Sequence, residues 1–269
     1  MRWAGVWFAL VAGCAPPFDD APALLESPRL IAVLVEPPEA APGERVSLRA
    51  VAAGPAGLVP ATEARWSLCT APVPPTETGS VSSACLGDLS AAGPDGETLT
   101  VAVPANACAL FGPETPPGDF RPRDPDATGG FYQPVRVDWS GQIAFAFVRL
   151  RCGAGRVATD VALEFLARYT PNQNPRPIDL VAGPERLVVR WPAGTREPFV
   201  RVDPEAQRVV DDVEAITVSW FVTAGPVATA RVAGGEEGAE VERLDPAGAA
   251  AAFAVVRDSR GGAAVVVSP

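Results

Sequence analysis

The sequence predicts a mainly all-β protein, read as two β-sandwiches joined by a linker. Two observations carry that prediction. Thirty prolines and 25 glycines are scattered through 269 residues without a period. Such a density of turn residues interrupts helices and suits many short strands. Between the turns lie short runs rich in Val, Ile, Phe and Trp, several of which alternate apolar and polar side chains at the two-residue period of a half-buried strand.

The first strands expected are RLIAVLVE (29–36), ERVSLRAVAA (44–53) and EARWSLCT (63–70), with the turn-rich EPPEAAPGE between the first two. In the second, Val46, Leu48, Ala50 and Ala52 share one face, and Ser47, Arg49, Val51 and Ala53 share the other. ETLTVAVP (97–104) places Leu99, Val101 and Val103 on one side. Residues 105–131 contain FGPETPPGDFRPRDPDATGG, too rich in proline for regular structure, and read as an ordered surface loop. YQPVRVDW (132–139) and QIAFAFVRLRC (142–152) form a hairpin around Ser140-Gly141. In its second strand Ile143, Phe145, Phe147 and Arg149 oppose Ala144, Ala146, Val148 and Leu150. Both faces are mostly apolar, so this strand is expected to be buried on both. Trp66, on the third strand, is expected in the core.

RVATDVALEFLARYT (156–170) fits two periods. Val157, Val161, Phe165 and Tyr169 recur every four residues, while Leu163 extends a two-residue pattern through the same positions. Its alanines and Leu166 favour a helix. PNQNPRP (171–177) ends either element. The strands expected beyond it are LVVRW (187–191), PFVRVD (198–203), EAITVSWFVTAG (214–225), PVATARV (226–232), AAFAVVRD (251–258) and AAVVVS (263–268). SRGG (259–262) supplies the glycines that a tight turn between the last two requires. The expected organisation is one sandwich over 28–153, a linker with a possible short helix over 154–176, and a second sandwich over 177–269.

The chain opens MRWAGVWFALVAGC, with Arg2 as the only charge before an apolar run from Trp3 to Ala12. That run is too short for a spanning helix, which needs about 20 residues, and has the form of an export signal. Val11-Ala12-Gly13-Cys14 resembles the lipobox of bacterial lipoproteins. The resemblance implies removal of residues 1–13, a diacylglycerol on the Cys14 thiol and an acylated N-terminus. Ala15 follows where Asp would retain such a protein in the inner membrane, so the resemblance implies a lipid anchor at the outer membrane of the cell envelope. Residues 14–27, acidic and proline-bearing, read as a flexible tether.

Composition removes several function classes. The net charge is −10 with no basic stripe, which argues against nucleic acid as a partner. An anionic bilayer would repel such a body, leaving lipid as its route to the membrane. All 22 basic side chains are Arg, and the chain contains neither Lys nor His. Without His there is no Ser-His-Asp or Cys-His nucleophile pair. Without Lys there is no Schiff base and no phosphate loop of the GxxxxGK type. Carboxylate-only hydrolysis survives, but no carboxylate pair stands out, so no catalytic residue is assigned and an enzyme is not expected.

Five cysteines are odd for an exported protein. Assigning Cys14 to lipid leaves Cys69, Cys85, Cys108 and Cys152, which allow three pairings. Cys69–Cys85 with Cys108–Cys152 is preferred, because the first bond closes TAPVPPTETGSVSSA, a polar loop with little else to hold it. Loops of these sizes contribute about 3 and about 4 kcal/mol. No CxxC spacing suggests zinc.

Asp124-Pro-Asp126-Ala-Thr128-Gly129 resembles two motifs. Its DxDxT pattern resembles the nucleophile motif of haloacid-dehalogenase-like phosphatases, which needs a lysine and a preceding apolar strand where this chain has FRPR. It also resembles the start of an EF-hand loop, but the twelfth position, normally Glu, is Val135. It is read as a solvated turn, with no metal and no cofactor assigned. Trp139, Trp191 and Trp220 are expected in cores; exposed, such rings would form a sugar platform. Arg260-Gly261-Gly262 is a turn, not an RNA-binding repeat.

Trp66-Ser-Leu-Cys-Thr-Ala-Pro faintly echoes Trp220-Phe-Val-Thr-Ala-Gly-Pro. VEPPEAAPGERVSLRA, SWFVTAG and VRDSRGG together resemble the immunoglobulin-like repeats of bacterial surface lipoproteins. The resemblance spans most of residues 28–269. It implies two Ig-like domains and carries no fixed catalytic residues. The function expected is that of a non-enzymatic, outer-membrane-anchored structural or interaction module, with an unidentified envelope protein or glycan as partner. A glycan- or calcium-dependent adhesion module on the same fold is the alternative, and a carboxylate hydrolase the third reading.

Overall fold

The computed structural model describes residues 21–114, 125–245 and 251–268. The fold is mainly β. In chain order its first part gives β1 (Arg29–Glu36), β2 (Glu39–Ala40), β3 (Arg45–Gly54), β4 (Gly57–Val59), β5 (Arg65–Leu68), β6 (Thr98–Ala102), the one-turn helix α1 (Ala107–Leu110), β7 (Tyr132–Trp139) and β8 (Gln142–Leu150). Helix α2 (Thr159–Arg168) follows. The second part gives β9 (Asp179–Ala182), β10 (Arg186–Arg190), β11 (Pro198–Asp203), β12 (Arg208–Val213), β13 (Ile216–Val222), β14 (Arg231–Ala233), β15 (Gly238–Glu242), β16 (Ala252–Asp258) and β17 (Ala263–Val267).

The first part folds into two sheets, one ordered β1-β3-β4 with β6 also on β3, the other β2-β8-β7-β5. The second part adds sheets ordered β14-β13-β16-β17 and β15-β10-β9, and a separate β11–β12 hairpin. The ladders are antiparallel except β2 on β8, where Glu39 stands opposite Arg149. Helix α2 buries Val161 and Phe165 and packs on the β11–β12 hairpin.

Side-chain alternation sets the order of the layers. Val46, Leu48, Ala50 and Ala52 of β3 enter a core with Trp66, Val135, Val137, Val148 and Leu150. Val51 and Ala53, on the opposite face of the same strand, meet Ile31, Ala32, Phe253 and Val255. The other face of β16, with Ala252, Ala254 and Val256, joins Val218, Trp220, Leu187, Val189 and Trp191. β16 and the second half of β3 are therefore buried on two faces, while Arg45, Ser47 and Arg49 of β3 stay exposed, and packing continues through three successive apolar clusters. A register shift between Leu30 and Ala32 lets two neighbouring residues, Ile31 and Ala32, enter the middle cluster together. The two halves of the chain are joined by this packed surface as well as by the backbone.

The expected hairpins are present. Ser140 (φ 49°) and Gly141 (φ 75°) both adopt positive φ between β7 and β8, as a two-residue turn matched to strand twist requires. The turn of residues 259–262 closes β16 onto β17, with Gly261 at φ 102°. The segment 156–170 forms a helix over Thr159–Arg168.

Four expectations need correction. Residues 21–25 are not free tether: Val222 N–H donates to Ala23 O (2.9 Å), Leu25 N–H donates to Val222 O (2.8 Å), and Leu25 is fully buried. The apolar Ala23-Leu24-Leu25 triplet is long enough to dock on β13, though too short to show a period. The outward face of β8 is not buried, since Ile143 is 47% exposed and Phe145 and Phe147 are half-buried. Of the expected 226–232 strand only Arg231 and Val232 pair with β13, in a short strand that runs on to Ala233. Pro226 has no N–H for a ladder, and Val227 bridges Arg243 instead. Finally, the loop 105–131 contains α1, which positions Cys108.

Candidate functional site

Cys14 and Asp124 lie outside the described residues. The other four cysteines pair as Cys69–Cys85 and Cys108–Cys152, each with Cα atoms 5.5 Å apart. Cys85 sits in a single 3-10 turn whose start is capped by Ser82 Oγ, accepting from Ala84 N–H. Arg136 reaches under this turn and donates to the carbonyls of Cys85 (3.1 Å) and Gly87 (2.7 Å). The second bond ties α1 to the end of β8. Gly112 lies so close to it that a Cβ there would sit 2.7 Å from Cys152 Sγ.

Asp126 Oδ1 accepts three hydrogen bonds from its own turn: Thr128 N–H (2.9 Å), Thr128 Oγ1 (2.7 Å) and Gly130 N–H (2.8 Å). Its carboxylate shapes the loop. No cluster of three or more His, Cys, Asp or Glu side chains able to hold a metal occurs among the described residues. All four tryptophans among the described residues are buried: Trp66, Trp139, Trp191 and Trp220. Trp66 Nε1 donates to Gly96 O (2.8 Å) and Trp191 Nε1 to Glu236 O (3.0 Å). None of these indoles offers a face to a sugar.

The chemistry is concentrated where no motif pointed. Arg260, in the turn after β16, is fully buried. Its guanidinium donates to Thr170 O (2.7 Å), lies 3.6 Å from Glu39, 3.4 Å from Glu214 and 3.9 Å from Glu197, and sits 5.1 Å above the Phe199 ring. Glu39 also faces Arg149 at 3.6 Å and accepts from the Tyr169 hydroxyl and the Asn172 N–H. Arg149 donates to Tyr132 Oη (3.0 Å) and Thr128 Oγ1 (2.8 Å). Asp258 Oδ1 accepts from the N–H groups of Arg260 and Gly262, both at 2.8 Å, and from Asn172 Nδ2.

This cluster draws residues from both halves and from the segment between them. It holds four carboxyls, Glu39, Glu197, Glu214 and Asp258, against two guanidiniums, Arg149 and Arg260. Only Glu197 has appreciable exposure. Burial and the neighbouring Asp258 push the Glu214 carboxyl up to about 7. Burial likewise raises Asp258, against the pull of two backbone N–H groups, and raises Glu197. Burial and the Glu39 carboxylate raise Tyr169. Removing one partner of such a buried pair costs about 3–5 kcal/mol, because it strands the other charge.

A cleft of about 560 Å³ adjoins the cluster, between the outward face of β7–β8, the first disulfide loop and the β16–β17 turn. Phe111, Phe131, Tyr132 and Phe147 wall it, with Asp126 and Asp258 on its lining. Tyr132 and Phe147 meet edge to face at 6.4 Å. Its volume falls in the range of small-molecule sites, roughly 300–1,000 Å³. Both carboxyls already hold their own turns, and the chain has no His or Lys to activate Ser80 or Ser259 on the cleft lining.

Sequence reasoning missed Arg260, Glu39, Glu214 and Asp258. Arg260 and Glu39 stand in stretches rich in turn residues, where a charge is ordinarily solvated. One signal was present: Arg149 shares an otherwise apolar strand face with Ile143, Phe145 and Phe147, and a charge in that position needs a buried partner. Comparison with protein-family models and with curated proteins finds no match to the chain.

Proposed function

We propose that this chain is a non-enzymatic lipoprotein of the cell envelope, anchored at the outer membrane through Cys14 and serving as a structural or interaction module. The observation that carries the reading is the opening sequence, a ten-residue apolar run ending in Val11-Ala12-Gly13-Cys14. The cysteine pairing supports it: four of the five cysteines bond to one another, leaving Cys14 as the odd one. Two disulfides suit an exported protein. Among the described residues no helix is long and apolar enough to cross a membrane, consistent with attachment by lipid. Two Ig-like sandwiches over 28–153 and 177–269 would form the body. Its partner is an envelope protein or a glycan. Cys14→Ser tests the anchor by fractionation of cells: the variant should leave the membrane pellet for the soluble fraction or accumulate unprocessed. An unchanged membrane pool of processed variant would contradict it.

A further inference from the structure

The charge cluster has a stoichiometry that its surroundings do not tolerate. Four carboxyls surround the Arg149 and Arg260 guanidiniums in a largely buried space, with Arg176 acting on Glu197 from its more exposed edge. A buried excess of negative charge is strongly unfavourable, and a protein relieves it by retaining a proton. The groups involved come from every element that meets there. Asp258 and Arg260 belong to the β16–β17 turn. Glu197 and Arg196 precede β11, and Glu214 precedes β13. Glu39 is on β2 and Arg149 on β8. Tyr169, Thr170, Asn172 and Arg176 lie in the segment between the halves, and the Arg176 charge acts on Glu197.

We propose that this cluster is a pH-sensitive clamp between the two halves, tightest when one of its carboxyls carries a proton and looser in alkaline solution. Glu214 is the group that holds the proton. Its Oε2 accepts from Glu197 N–H (3.1 Å), its Oε1 faces Arg260 at 3.4 Å, and the residue is 1% exposed. Across Arg260 lies Glu39, already paired with Arg149. The proton therefore settles on the carboxyl that faces Asp258 and Glu197 with only a share of Arg260. Losing it sets the Glu214 carboxylate against Asp258 and Glu197, three acids that share the single Arg260 guanidinium. The contacts that feel this are Arg260 to Thr170 O, and Asn172 to Glu39 and Asp258.

The sign follows from linkage. A carboxyl raised in the folded state contributes stability that is complete below its unfolded value of 4.5 and is lost as pH rises through about 7. That shift makes unfolding roughly 30-fold more favourable at about pH 8.5 than at about pH 5.5. Asp258 and Glu197, also raised, act in the same direction.

Urea unfolding of the protein at those two pH values tests the clamp, with Glu214→Gln as the variant and Glu205→Gln, an exposed position, as control. Wild type and Glu205→Gln should lose stability by that factor between the two conditions, and Glu214→Gln should lose most of the dependence. Equal pH dependence in Glu214→Gln and wild type would overturn the proposal. Should Glu214→Gln fail to fold, a carbon-detected NMR titration of wild-type glutamate carboxyls decides. One carboxyl with a midpoint near 7, together with falling amide protection at 170–174 and 258–262 across that midpoint, supports the clamp. Titration of every glutamate below about pH 5 would refute it.

Discussion

Phe253→Ala is the substitution that separates a shared core from two sandwiches lying side by side. Phe253 is 0% exposed and sits in the middle cluster, against Leu25, Ile31, Ala32, Val51, Ala53 and Val255. An aromatic side chain buries about 150–250 Å². At about 25 cal/mol per Å², losing most of that surface costs about 3 kcal/mol before any cavity term. The cavity will persist, because the neighbours include the short side chains of Ala32 and Ala53 on strands fixed by their other faces. The total expected is about 4 kcal/mol, within the usual 3–5 kcal/mol for Phe→Ala, or roughly a 10 °C drop in Tm for a chain of this size. The assay is urea unfolding combined with amide hydrogen exchange. Protection should fall in β1 and β3 as well as in β16, since the cluster belongs to all three strands. Leu58→Ala, at a site 56% exposed, should cost less than about 0.5 kcal/mol. A loss below about 1 kcal/mol for Phe253→Ala, or protection lost in β16 alone, would show that the halves do not share this core.

Two further outcomes are expected. A non-reducing peptide map should link Cys69 to Cys85 and Cys108 to Cys152, and a Cys69–Cys152 peptide would contradict the strand arrangement that brings these pairs together. Thermal scans in millimolar calcium and in chelator should coincide, because Asp126 Oδ1 already takes three donors from its own turn. A rise of several degrees in calcium, removed by Asp126→Asn, would reveal a ligand bound to the native state.

Much of the fold could be read from local pattern. The alternation in 44–53 predicted a half-buried strand, which holds for its first half, while Val51 and Ala53 bury the second face against the other half of the chain. Val218, Trp220 and Val222 alternate in sequence and are buried together. Glycine and serine placed the two tight turns correctly. Other elements were hidden for physical reasons. The strands β9, β12 and β15 are short, and β12 (RVVDDV) and β15 (GAEVE) carry charges, so each is specified by its ladder partner more than by its own composition. The docking of Ala23–Leu25 depends on the end of β13 that β14 leaves unpaired, some 200 residues away in the chain. The charge cluster was almost wholly illegible. Its members come from six places in the sequence, and a buried Glu or Arg looks like a solvated one until its partners are known. Only Arg149, out of place on an apolar face, announced that a buried acid must exist.

The chemical state of Cys14 in the native protein decides most directly whether this chain is lipid-anchored. Intact-mass and peptide mass spectrometry of protein extracted from its own membranes should find Cys14 as the first residue of the mature chain. That N-terminal peptide should carry a diacylglyceryl thioether and an acylated amine. A mature chain that begins elsewhere, or an N-terminal peptide in which Cys14 is an unmodified thiol or a disulfide, would contradict the central claim.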